Sequence, residues 1–102
     1  MTDLTIEMWY VITQPTRFKI CNLLLENINN PIFRPHAFNI AKIFKLSISK
    51  VSTIQFHLSK LEQSKVVTSK LLLKERGSLV LVRHYYLTEK AKALMKRMLV
   101  KE

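Results

Sequence analysis

Val51, Ile54, Leu58 and Leu61 recur at i, i+3, i+7 and i+10, the spacing of a helix that buries one stripe. Ser49, Lys50, Ser52, Thr53, Gln55 and Phe56 are then left to face outward around the start of that helix. Their chemistry suits a polyanion with readable edges. Hydroxyls and an amide donate to bases or phosphates, and an exposed aromatic can touch a thymine methyl. Glutamine pairs bidentately with adenine, which makes Gln55 the leading base-reading candidate. The plainer alternative is that the serines and the threonine only cap and solvate a helix. Lys42, Lys45, Lys60 and Lys65 surround the segment, and Lys74, Arg76 and Arg83 follow on a β-rich stretch. Cations placed on both sides of a reading helix can neutralise phosphates on both sides of a groove. Lys90 to Arg97 read as a solvated face.

Other chemistry finds little support. Cys21 is the single cysteine, so an intrachain disulfide and a cysteine-built zinc site are both excluded, and it reads as a small core residue. His36, His57 and His84 lie on different elements with no acidic or cysteine cluster beside them, which argues against a metal site. His57 is expected beside the phosphate backbone or as an ordinary packed polar residue. The acids are scattered, no glycine-rich phosphate loop is present, and no nucleophile has a recognisable base partner. Neither an enzyme nor a cofactor is expected, and no small-molecule ligand is evident.

The elements that must position these residues follow from length, charge and period. A chain of 102 residues, 48% hydrophobic and 24% charged, suits a single globular domain over 1–102. The net charge of +10 favours an anionic partner. It is unevenly placed, with two bases against three acids in 1–33 and fifteen against four in 34–102. Leu4, Ile6, Met8, Trp9 and Val11 give a strongly apolar helix over 3–12. Pro15 opens a second, to about Asn27, whose stripe is Phe18, Cys21, Leu25 and Ile28, widened by Ile20 and Leu24. Pro31 and Pro35 bound a loop with a short extended piece around 32–34. Residues 37–64 read as two helices joined by a tight, serine-capped turn, a helix-turn-helix. Runs at 66–74 and 79–87 form a hairpin over 66–87, with Gly77, the only glycine, at its turn. Thr88-Glu89 caps a last helix over 88–100, striped by Ala91, Leu94, Met95 and Met98. The fold class is mainly α with one β-hairpin.

Three segments resemble the winged-helix regulators of the ArsR type. Gln14-Pro15-Thr16-Arg17-Phe18-Lys19-Ile20 is similar to the opening of that family's first core helix. His57-Leu58-Ser59-Lys60-Leu61-Glu62 resembles the end of its recognition helix. Tyr85-Tyr86-Leu87-Thr88-Glu89-Lys90-Ala91 is similar to the junction of second wing strand and last helix, including that of small archaeal-virus winged-helix proteins. Together they place the resemblance over roughly 13–95. The family usually has a glycine where Lys65 stands, and its metal sensors carry cysteine pairs absent here. The resemblance therefore implies a winged helix-turn-helix regulator of double-stranded DNA, expected to be a repressor, and not a metal sensor.

Leu4, Met8, Trp9, Leu94, Met95 and Met98 offer more apolar surface than one small domain needs, so the terminal helices are expected to join a homodimer. The alternative is a monomer with the first helix folded over its own core. No long uncharged apolar run exists and the N-terminus lacks a basic signal-like start, from which a soluble cytoplasmic protein is expected, in a host cytoplasm if viral. Two other functions stay open: a sequence-neutral or RNA-binding winged helix, and a protein-interaction adaptor.

Overall fold

A computed structural model describes residues 2–100, and the side chains of 6–97. The chain runs α1 (Thr2–Ile12), α2 (Pro15–Glu26), α3 (Ala37–Ile43), a 3-10 turn (Ile48–Lys50), α4 (Val51–Gln63), β1 (Val67–Leu73), β2 (Leu81–Leu87) and α5 (Glu89–Val100). The two strands pair antiparallel, Val67 opposite Leu87 and Leu73 opposite Leu81. One further rung, from the Tyr85 amide to the Pro35 carbonyl at 2.8 Å, ties the 32–35 segment to the outer edge of β2.

α4 lies at the centre, packed against α1, α2, α3 and β1. Its Val51, Ile54, Leu58 and Leu61 are all buried, as the period predicts, together with Ile12, Ile20, Leu24, Ile40 and Val66. Cys21 belongs to the same core, and burial pushes its thiol up to about 12, which keeps it neutral. On α2 the stripe differs from expectation. Ile20, Cys21 and Leu24 are its buried centre, Phe18 and Leu25 are half-buried, and Ile28 is exposed, because the helix stops at Glu26 and Ile28 falls in the turn beyond it.

The starts of α2 and α5 are secured by side chains. Gln14 Oε1 accepts from the Arg17 amide at 2.9 Å with Pro15 in the first turn. Thr88 Oγ1 accepts from the Ala91 amide at 3.3 Å and donates to the Lys65 carbonyl at 2.9 Å, joining the start of α5 to the end of α4. The helix ends are less usual. α3 and α4 both close by the paired bonds of a Schellman motif, Leu46 N to Ala41 O with Lys45 N to Lys42 O, and Val66 N to Leu61 O with Lys65 N to Glu62 O. The residue after the cap must then turn left-handed, and it is a lysine each time, Lys45 at φ 60 and Lys65 at φ 64. A side chain there costs about 1 kcal/mol relative to glycine. Lys65→Gly is accordingly expected to raise stability by about 1 kcal/mol and the thermal midpoint by roughly 4–8 °C, measurable by calorimetry. An unchanged or lower midpoint would show that this turn carries no such strain.

Candidate nucleic-acid interface

The outward side of α4 carries Ser52, Thr53, Gln55, Phe56, Ser59 and Lys60, all exposed. Lys60 Nζ sits 5.5 Å from the centre of the Phe56 ring, one turn away on the same side. Gln55 points along another flank. It walls a groove of about 310 Å³ between α4 and the hairpin, with Phe38, Leu71, Leu81 and Arg83 on the other walls. Two helical turns on, Glu62 occupies the same flank and accepts from Ser69 Oγ at 2.8 Å, while Ser69 Oγ accepts from Arg83 at 3.1 Å. Arg83 is thereby tethered across the base of the hairpin toward α4.

Ser49 and Lys50 lie on the 3-10 turn rather than on α4 itself. The expected serine cap takes another form: Ser47 opens the 3-10 turn without a side-chain cap bond, and its hydroxyl meets that of Ser49 at 2.8 Å. The first turn of α4 has no side-chain cap either, so its leading amides are not claimed by the chain's own hydroxyls.

Lys42, Lys45, Lys50, Lys60 and Arg76 are exposed. The only ion pair among the described residues joins Lys92 to Glu89 on α5, at 2.9 Å. The cations around α4 and on the hairpin therefore hold no carboxylate partner there. Lys74 is half-buried, its ammonium 4.2 Å from the centre of the Phe38 ring, which draws it toward α3. Gly77, at φ 83, forms the tip with the Ser78 amide bonded to the Glu75 carbonyl at 3.0 Å. Arg76 rides on that tip.

The hairpin is also more apolar than a basic wing leads one to expect. Leu71, Leu72, Leu73, Leu79, Val80 and Leu81 are all exposed, Leu79 at 97%. Runs of three apolar residues place side chains on both faces of a strand, and only the end near α5 has a core to cover them. The terminal helices correct an expectation in the other direction. Met8, Leu94 and Met95, assigned to an interface, are buried in the chain's own core. Each falls on its helix's inward stripe. Leu4 and Met98 lie outside the residues whose side chains are described. Of the assigned set Trp9 remains exposed, beside Ile6 and Tyr10.

A helix pair followed by an antiparallel hairpin and a closing helix, with α4 packed on the core and bare on its outward face, decides the architecture. The chain has the winged helix-turn-helix fold. It superimposes on a transcriptional regulator homologue from Pyrococcus horikoshii OT3 with a TM-score of 0.66 and 21% identity, over 98% of this chain and 89% of that one. A homodimeric winged helix-turn-helix DNA-binding domain from Mycobacterium bovis, a possible ArsR-family transcriptional regulator, matches with a TM-score of 0.69 and 16% identity over 97% and 78%. ZitR of Lactococcus lactis matches with a TM-score of 0.53 and 20% identity, over 79% of this chain and 49% of that one. No family model and no curated protein matches the sequence.

Within this winged helix the three histidines act as fasteners. His36 caps α3, its Nδ1 accepting from the Asn39 amide at 3.2 Å. The proton must then reside on Nε2, which donates to the Lys74 carbonyl at 3.1 Å. His84 places Nε2 3.1 Å from the Leu73 carbonyl, and the two rings meet edge-on at 5.2 Å. The far end of β1 is thus pinned twice. His57 is buried away from the outer face of α4, where its Nδ1 accepts from Arg17 Nε at 3.2 Å; Arg17 also donates to the Val11 carbonyl at 3.4 Å. Among the described residues no three metal-ligating side chains cluster, and no helix is long and apolar enough to cross a membrane.

Burial holds all three imidazoles below the usual histidine range; His84, Lys74 and Arg34 depress His36 further, Arg17 depresses His57, and Arg34 depresses His84. In the unfolded chain they titrate near 6.5, so below that pH the unfolded state takes up more protons and stability falls. The thermal midpoint is expected to drop from pH 7.5 to pH 5, the loss starting near pH 6.5. His36→Asn keeps a capping acceptor but cannot titrate. It should be about 1 kcal/mol less stable at pH 7.5 and show a shallower acid loss. An equally steep loss would remove His36 from the account.

Proposed function

We propose that this chain binds double-stranded DNA as a transcriptional regulator, with α4 in the major groove and the hairpin against the backbone or the adjacent minor groove. The observation that carries this is the coincidence, on a winged helix, of a polar, bare α4 face with a ring of cations that have no carboxylate partners among the described residues. Ser49, Lys50, Ser52, Thr53 and Phe56 approach the groove, Gln55 reads a base from the hairpin flank, and Lys42, Lys45, Lys60, Lys74 and Arg76 neutralise phosphates. Arg83 acts first by setting the hairpin against α4. The regulators named among the similar structures support this reading, and support a binding protein over an enzyme. Repression is the mode the proposal favours, since occupying a site is enough to block it.

Fluorescence anisotropy of a labelled duplex over a salt series tests this. Affinity should fall steeply with salt, and Lys60→Ala and Arg76→Ala should each reduce the log–log slope by about 0.9 per lost phosphate contact. Gln55→Ala should cost about 1–3 kcal/mol on a preferred sequence and little on an arbitrary one. No duplex binding at low salt would overturn the proposal. Equal binding of matched RNA would favour a sequence-neutral role. The exposed leucines of the hairpin favour one alternative, an adaptor that docks another protein by its wing, and failure to bind duplex would point there.

The same proposal includes a homodimer joined through the outer face of α1, where Ile6, Trp9 and Tyr10 are exposed, Tyr10 at 80%. The Mycobacterium domain is homodimeric, which supports it. Two α4 helices would then lie about one DNA turn, roughly 34 Å, apart. Light scattering should give twice the 12.0 kDa chain mass, and Trp9→Ser with Tyr10→Ser should give the monomer. A monomeric unmodified chain at micromolar concentration would sink the dimer.

A further inference from the structure

A cleft of about 570 Å³ opens between the α3–α4 turn and the hairpin tip, on the other side of Phe38 from the Gln55 groove. That volume is in the range of sites that hold small organic molecules. Its lining carries two chemistries side by side. Phe38 and Ile48 give it an apolar side, and Ile32 stands at the edge. Ile32 and Ile48 are 84% and 81% exposed, large apolar side chains with nothing over them. Arg34, Lys42 and Lys74 line the same cleft, Lys42 one turn beyond Phe38 on α3 and the Lys74 ammonium 4.2 Å from the centre of the Phe38 ring; none of the three is ion-paired among the described residues, and the single acid is Glu75. An inorganic anion would satisfy the cations and leave the isoleucines wet. A neutral apolar molecule would do the reverse, forcing desolvation on three charges. A molecule with an anionic head and an apolar body satisfies both.

We propose that this cleft binds an organic anion with an apolar body, its head among Arg34, Lys42 and Lys74 and its body over Ile32, Phe38 and Ile48. Lys42 and Lys74 are also phosphate contacts in the DNA reading above. On that reading alone, the anion and the duplex compete for the same two ammonium groups, and each weakens the other by the same factor. The cleft itself does not depend on that reading.

Octanoate, with octan-1-ol and inorganic phosphate as its two halves, probes the full chain by titration calorimetry. Octanoate is expected to bind at least tenfold more tightly than either half. Arg34→Gln should weaken it about tenfold and Ile48→Ser at least threefold, while Glu75→Gln should tighten it. A thermal midpoint within a few degrees of the parent confirms that each variant is folded. Phosphate binding as tightly as octanoate would make this a plain phosphate site and overturn the proposal. So would octanoate affinity that is unmoved by Arg34→Gln and Ile48→Ser. In the anisotropy assay, the same octanoate concentration should raise the duplex Kd at least fivefold for the parent chain and by a smaller factor for Ile48→Ser. An unchanged Kd for the parent would remove the competition. Octanoate bound by a chain that never binds duplex would support the cleft and count only against the DNA reading.

Discussion

Everything in this molecule hangs on α4 having two incompatible sides. Ile54, Leu58 and Leu61 must leave water, and they do so against helices on three sides and β1. Burying such side chains is worth about 1.5–3 kcal/mol each, so the orientation of the helix about its own axis is set by its core side alone. The polar side is then displayed whether or not anything binds it. Arg17 reinforces this from beneath, bonding His57 on α4 and the last turn of α1 together. Two segments that looked like separate family signatures, one around Arg17 and one around His57, are in fact two halves of one contact.

Much of this was legible in the sequence because it rests on period. Helix and strand order, the buried stripe of α4 and the glycine at the hairpin tip all follow from apolar spacing and one residue with unusual backbone freedom. The misreadings have physical causes. Met8, Leu94 and Met95 look like surplus apolar surface because composition does not say how large the core is; the chain uses them itself. Serine is common at caps, so the turn before α4 predicts a serine cap, and here two hydroxyls bond each other instead.

The hairpin was the least legible part. A β-rich run predicts strands but not what covers them, and Leu71, Leu72 and Leu73 extend past the core's edge. In the sequence Arg34 is an isolated arginine in a loop. It gains meaning only when Lys42 and Lys74, distant in sequence, come round the same cleft. Likewise no spacing rule brings His36 and His84 to neighbouring carbonyls at the end of β1 and just beyond it. Lys65 is the opposite case, since its departure from the family's glycine marked a place where the backbone turns left-handed all the same.

The two histidine bonds at Leu73 and Lys74 bear on the mechanics of the hairpin. A two-stranded ribbon anchored only where it leaves the body would swing as a long lever, and a partner would have to arrest that swing on contact. Here the clamp is moved outward almost to the turn, so the unsupported arm shrinks to the short reach from Glu75 to Val80. Ordering such a segment on association forfeits about 0.5–1.5 kcal/mol for each long side chain that is immobilised. With the ribbon already arrested, that loss is confined to the few side chains at the tip.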